Sequence, residues 1–152
     1  MVGGVLNAGP HRLEAAGKAG IPQVVSVGAL DMVNFGPRDT VPDKFRDRLL
    51  YQHNPTVTLM RTTADELRQI GSILADKLNM AKGKTALMLP LRGVSAIDVE
   101  GGPFYDAEAD QALFDTLRAQ VKDPVEQIEV DTDINDPAFA VAAAKKLLDM
   151  LG

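Results

Sequence analysis

The chain has 152 residues, 45% of them hydrophobic and 24% charged, with a formal net charge of −5. A chain of this size buries roughly two-thirds of its surface, so this composition describes one globular domain rather than a disordered segment. The acidic balance disfavours non-specific binding to nucleic acid or to an anionic membrane, either of which needs a basic face.

The sequence contains no cysteine, which removes disulfides, thiolate metal sites and cysteine nucleophiles. No stretch approaches the ~20 apolar residues that a membrane helix needs. The opening Met1-Val2-Gly3-Gly4-Val5-Leu6 lacks the basic flank and apolar run of a signal peptide. A soluble, cytoplasmic protein is expected. Residues 2–7 are largely apolar and carry no helix cap or strand-entry signal, which predicts a fragment whose upstream partner domain is missing.

Asn7-Ala8-Gly9-Pro10 reads as a turn delivering proline to the first position of a helix over residues 11–18. Gly20 is placed to end that helix in the left-handed region, and Pro22 blocks its continuation. Gln23-Val24-Val25-Ser26-Val27 is short, β-branched and closed by Gly28, the pattern of a buried strand. Residues 28–55 show no long periodic segment, are punctuated by Pro37, Pro42 and Pro55, and carry at most a short helix over 43–51. An ordered connection of that length is usually functional, the alternative being an oligomer arm or a cover for the sheet edge.

Thr56-Val57-Thr58-Leu59-Met60 predicts a second strand. Thr63-Ala64-Asp65-Glu66 matches a capping box, and Leu67, Ile70, Ile73, Leu74 and Leu78 give the helix it opens an apolar stripe. Residues 85–91 form a nearly continuous apolar run, as expected of a strand covered on both faces. A glycine-rich loop follows, then a helix over residues 107–121 capped by Asp106. A weakly alternating strand over 125–130 lies nearer an edge, and Asn135-Asp136-Pro137 opens a last helix ending at Leu151. Strands separated by helices tend to run parallel, joined by right-handed crossovers. The expected fold is a single α/β domain over residues 1–152. Its core would be an open, doubly wound, Rossmann-like and mostly parallel sheet of four to five strands, with helices on both faces.

In such sheets ligands sit outside the carboxyl ends of the strands. The candidate loops are residues 28–35, 61–63, 92–95 and 131–133, all expected on one rim. Arg61-Thr62-Thr63 joins a strand to a helix N-terminus, where amides, dipole and guanidinium suit a small anion; Thr63 as a simple cap and Arg61 as a salt-bridge residue is the alternative. Arg92, followed by Gly93 and Ser95, is either a ligand clamp or the partner of an acid such as Asp31. After Gly28, Asp31 and Asn34 could bind a sugar hydroxyl, hold a magnesium-bound water or supply a general base, or could serve only to satisfy a turn. His53, beside Asn54, is the other candidate base. No dinucleotide, P-loop, nucleophile-elbow or His-Glu-x-x-His motif is present, and no metal site is expected.

Six blocks occur together: Gly28-Ala-Leu-Asp-Met-Val-Asn-Phe35, Tyr51-Gln-His-Asn-Pro55, Leu59-Met-Arg-Thr-Thr63, Leu89-Pro-Leu-Arg-Gly-Val-Ser95, Gly101-Gly-Pro-Phe-Tyr-Asp106 and Ile134-Asn-Asp-Pro-Ala-Phe139. Through them, essentially the whole chain resembles the C-terminal half of an uncharacterised bacterial and plant family. That family is called an ATP-binding-domain family after a plant tobamovirus-resistance protein. The resemblance implies a parent of roughly twice this length, with two Rossmann-like domains and a tendency to form homodimers. It also implies ATP and Mg in the full-length parent, whose Asp-Thr-Lys motif lies in the N-terminal domain. The expected function is therefore a nucleotide- or anion-binding half-domain. An enzyme of hydrolase or lyase type using Asp31 or His53 with Arg61 or Arg92 is one alternative. A dimerisation module built on residues 28–55 is the other.

Overall fold

The structure is a computed structural model and describes residues 2–152. It holds two small sheets where the sequence pattern suggests one. β1 (Gln23–Ser26), β5 (Thr85–Pro90) and β6 (Glu126–Val130) form a parallel sheet in the order β1-β5-β6. β2 (Met32–Phe35), β3 (Leu50–Asn54) and β4 (Val57–Arg61) form an antiparallel sheet in the order β2-β4-β3.

The expectation of four to five strands in a single, mostly parallel sheet is thus corrected. The segment 28–55, expected as a connection with at most a short helix, contributes two of the six strands among the described residues. Around Asp43 the helical content is a single 3-10 turn, Asp43–Phe45. The strand read at Thr56-Val57-Thr58-Leu59-Met60 is real, but it is the centre of the antiparallel sheet rather than a parallel neighbour of β1. The first helix, α1 (Ala15–Ala19), starts later than residue 11 because Leu13 takes φ +71°, outside the helical region.

The remaining helices follow their local signals. α2 (Ala64–Asn79) opens on the capping box: Thr63 Oγ1 accepts from the Glu66 amide, and Glu66 Oε2 accepts from the Thr63 amide. α3 (Ala107–Gln120) is capped by Asp106, and α4 (Pro137–Leu151) by Asp136 with proline at its start. On one face of the parallel sheet, Val25, Leu87 and Leu89 pack with Leu67, Leu74 and Leu78 of α2 and Leu113, Phe114 and Leu117 of α3. Successive strand residues point to opposite faces, so Ala86 and Met88 look the other way, toward α4, which lies against β1 and β5. The two helices on the first face approach closely at Gly71, where an added Cβ would stand 3.0 Å from Thr116 Cγ2. A second, smaller core of Phe35, Phe45 and Met60 sits on the antiparallel sheet.

Leu113 is fully buried at the centre of the main cluster. Leu113→Ala is expected to cost about 2–5 kcal/mol in chemical denaturation. A loss below ~1 kcal/mol would mean that α3 is not seated on this core.

Candidate functional site

The antiparallel sheet reaches the parallel one through the last residue of β4. Arg61 is buried, and its guanidinium is used up inside the protein. Nε donates to the Phe104 carbonyl at 2.8 Å, Nη1 to Thr62 Oγ1 at 3.3 Å, and Nη2 to Asp110 Oδ1 at 2.7 Å and Asp98 Oδ1 at 3.3 Å. Asp98 comes from the loop after β5, and Asp110 from the first turns of α3. A third buried acid, Asp31, accepts from Ser95 Oγ at 2.7 Å through Oδ2, while its Oδ1 has no hydrogen-bond partner.

Three buried carboxylates therefore gather near one buried arginine, which pairs with two of them, Asp98 and Asp110. Burial raises the pKa of each, because it penalises the charged form. Asp98 is pushed up to about 8, by burial first and by the charge of Asp110 second, with Arg61 opposing. Asp110 is raised by burial against the hydrogen bond from Arg61. Asp31 is raised by burial against the hydrogen bond from Ser95. At neutral pH the cluster keeps a proton that the unfolded chain would release.

Around this cluster the loops that follow the parallel strands meet. The Ala29 amide donates to the Val94 carbonyl at 2.8 Å, and the Ile134 amide to the Gly93 carbonyl at 3.0 Å. A Cβ on Gly28 would stand 2.8 Å from Ile134 Cδ1, so a side chain there would have to displace the tip of Ile134. Gly93 takes φ +142°, and a Cβ on it would lie 2.1 Å from the Asp98 carbonyl, a fit open to glycine alone. The 61–63 segment joins from the other sheet: the Thr62 amide donates to the Asp31 carbonyl at 2.9 Å and Thr62 Oγ1 to the Leu30 carbonyl at 2.8 Å.

Beside these loops is a cleft of about 470 Å3, lined by Leu91, Arg92, Gly93, Val99, Glu100, Tyr105, Ala107, Asp110, Gln111, Phe114 and Asp133. It lies past the carboxyl ends of β5 and β6, beside the start of α3, where open sheets of this kind hold ligands. Asp110 forms part of its inner wall while Arg61 holds that side chain from behind. At the mouth, Arg92 makes a bidentate pair with Asp131, Nε to Oδ1 and Nη2 to Oδ2 at 2.7 Å each. Both partners are exposed, and the pair holds the Asp131 carboxyl below its ordinary range.

The candidates read from sequence divide accordingly. Asp31, Ser95, Arg61 and Thr62 come together, but as a buried cluster under the loops; Arg92 and Gly93 line the cleft. Arg92 pairs with Asp131 and not with Asp31. Thr63 is a helix cap, and Arg61 is fully engaged by internal acceptors. Asn34 lies in β2, its carbonyl accepting from the Val5 amide at 2.8 Å. His53 and Asn54 are exposed at the hairpin end of β3, which pairs with the start of β4 and so lies at the opposite end of that sheet from Arg61. Asp98, Glu100, Tyr105, Asp110 and Gln111 were not among the sequence candidates. Asp110 had a signal, an acid on the same helical face as Leu113, Phe114 and Leu117; Asp98 sits in an aperiodic loop and had none. Among the described residues, no group of three or more His, Asp or Glu side chains is placed to hold a metal ion.

Comparison with known proteins adds kinship. Residues 1–151 match the model of the C-terminal domain of the uncharacterised protein family UPF0261. A UPF0261 protein of Clostridium tetani is 61% identical over 152 residues, covering 99% of this chain and 38% of the relative. One from Mesorhizobium japonicum is 47% identical over 146 residues, 95% of this chain and 37% of the relative. The tomato protein named ToMV resistance protein Tm-1 is 41% identical over 153 residues, 99% of this chain and 20% of the relative. The chain thus spans well under half the length of these relatives.

Asp98 gives the cluster a pH signature. Its native pKa lies above the ordinary value of 3.8, so between about pH 4 and pH 8 the native state binds more protons than the unfolded one. Its contribution to stability falls as pH rises through that window and levels off above it. Asp98→Asn, which mimics the protonated acid, is expected to flatten the decline in Tm between pH 5 and pH 8 and to raise Tm at pH 8. A wild-type slope in the variant would show that Asp98 is ionised in the native protein.

Proposed function

We propose that this chain, which belongs to the UPF0261 family and corresponds to its C-terminal domain, forms one wall of a binding site for a small polar ligand. The additional part of the longer polypeptide supplies the other wall. The cleft at the carboxyl ends of β5 and β6 carries this reading, because it joins a concave surface to an arginine, a helix-borne amide and a helix-borne carboxylate fixed from behind.

The chemistry of the lining suggests which part of a ligand this wall meets. Arg92 is the one cation of the cleft, opposed by Glu100, Asp110 and Asp133. Its pair with Asp131 is exposed and screened by solvent, so a carboxylate or single phosphate can take the place of Asp131 at little cost. The bidentate fork suits either anion. Asp110 and Gln111 offer acceptors and an amide to hydroxyl groups. A triphosphate would meet more negative than positive charge here. For a nucleotide, this wall suits the ribose hydroxyls and one phosphate, leaving the remaining phosphates and any magnesium to the other wall.

Binding accounts for the arrangement better than hydrolase or lyase chemistry through Asp31 or His53. Asp31 is closed off beneath Ser95, and His53 lies on the far end of the other sheet. The test is calorimetric titration of ATP with magnesium, and of a panel of hydroxycarboxylates, into a full-length polypeptide carrying this domain. Arg92→Ala and Gln111→Ala are expected to weaken binding of the responsive compound about tenfold each, roughly the loss of one charged or strong hydrogen bond. Unchanged affinity in both variants, or no binding by any compound, would sink the reading.

A further inference from the structure

The two edges of the parallel sheet differ in kind. β6 is defended: Glu126 and Glu129 project from it and pair with Lys146 and Arg118, the charged decoration with which natural proteins blunt an exposed edge. β1 has no such device. Its sequence, Gln23-Val24-Val25-Ser26, carries no charge, proline or bulge, although β1 is the terminal strand in the order β1-β5-β6.

Its hydrogen-bonding groups are also half used. The Gln23 amide donates to the Lys84 carbonyl at 3.0 Å. A residue's N–H and C=O point to the same side of a strand, and sides alternate, so Gln23 and Val25 face β5 while Val24 and Ser26 face outward. Parallel sheets are normally covered on both faces, and an exposed edge without charge, proline or bulge is a template for pairing with another chain.

The surfaces flanking this edge are apolar on both sides of the sheet. On the α2 side, a groove of about 270 Å3 is lined by Leu13, Leu30, Ile70 and Ile73, with Ile73 52% exposed. On the opposite side, α4 turns Val141, Leu148 and Leu151 to the outside, 51%, 66% and 59% exposed. Those positions recur at helical spacing and leave α4 with an apolar stripe beyond the one that seats it on the sheet.

We infer that β1 is an internal strand in the full-length polypeptide, and that part of the additional chain adds a parallel strand along Val24 and Ser26. Helices flanking that strand cover the α2-side groove and the outer face of α4. The occupant is this additional chain because the bacterial relatives carry it, this domain covering only 37–38% of their length. A strand with helices on both sides is also the partner that an open parallel edge between two apolar flanks fits. This inference stands apart from the ligand cleft, which uses the other end of the sheet order.

Residue-resolved hydrogen exchange on the full-length polypeptide tests it. The Val24 and Ser26 amides are expected to exchange about 100-fold or more slowly than unprotected amides, in step with Val25. Exchange of Val24 and Ser26 near the unprotected rate, with Val25 protected, would overturn the inference. Protection that vanishes on dilution to monomer would assign the edge to a second copy and overturn it equally. Val24→Pro removes an N–H that β5 does not use, so it is expected to abolish the slow exchange of Ser26 while leaving the β5 amides protected. Leu148→Asp is expected to lower the Tm of the full-length polypeptide, and an unchanged Tm would contradict cover over α4.

Discussion

One guanidinium holds the two halves of this domain in register. Arg61 ends the central strand of the antiparallel sheet and reaches Asp98 and the Phe104 carbonyl in the segment between β5 and α3, and Asp110 in the first turns of α3. The two sheets share no strand. Their relative placement rests on this junction and on the edge-on contact of Tyr51 with Phe104, 6.2 Å between ring centres. Taking such a charge out of water is expensive, and leaving its partners without it costs about 3–5 kcal/mol. The arrangement is stable only when complete.

That demand shapes the cleft. Asp110 presents a carboxyl to the cleft wall because Arg61 fixes its other side, and Gly93 passes close to Asp98 because no side chain would fit between them. Burial raises both Asp98 and Asp110 above the ordinary carboxylate range, against the pull of Arg61. Arg92 stands outside this economy of charge, in solvent, paired with an equally exposed Asp131. The rigid acid and the replaceable cation have different histories in the fold, which is why one suits a fixed hydroxyl partner and the other an exchangeable anion.

Local signals in the sequence were readable where a structural feature depends on neighbours in the chain. The Thr63–Glu66 capping box, the apolar run of β5 and the Asp136-Pro137 helix start are of that kind, and each appears in the structure. β2 and β3 were not readable. Met32-Val33-Asn34-Phe35 is four residues long, and the end of β3 is Gln52-His53-Asn54; both become strands by pairing with β4, which periodicity does not encode. The site shows the same division. The rim of strand-end loops follows from the βα order, and Arg92 and Gly93 were legible there. Arg61 was legible as a special residue but not in its role, because its partners lie 37 and 49 residues away.

The most direct test of this account is a double-mutant cycle on Arg61→Met and Asp110→Asn, with stability measured by chemical denaturation. The account requires that the loss in the double variant fall short of the sum of the single losses by about 1–3 kcal/mol, because each single substitution leaves the other residue buried without its partner. Additivity to within ~0.5 kcal/mol would contradict it, showing that the two residues stabilise the protein independently and that Arg61 does not hold Asp110 in the cleft wall.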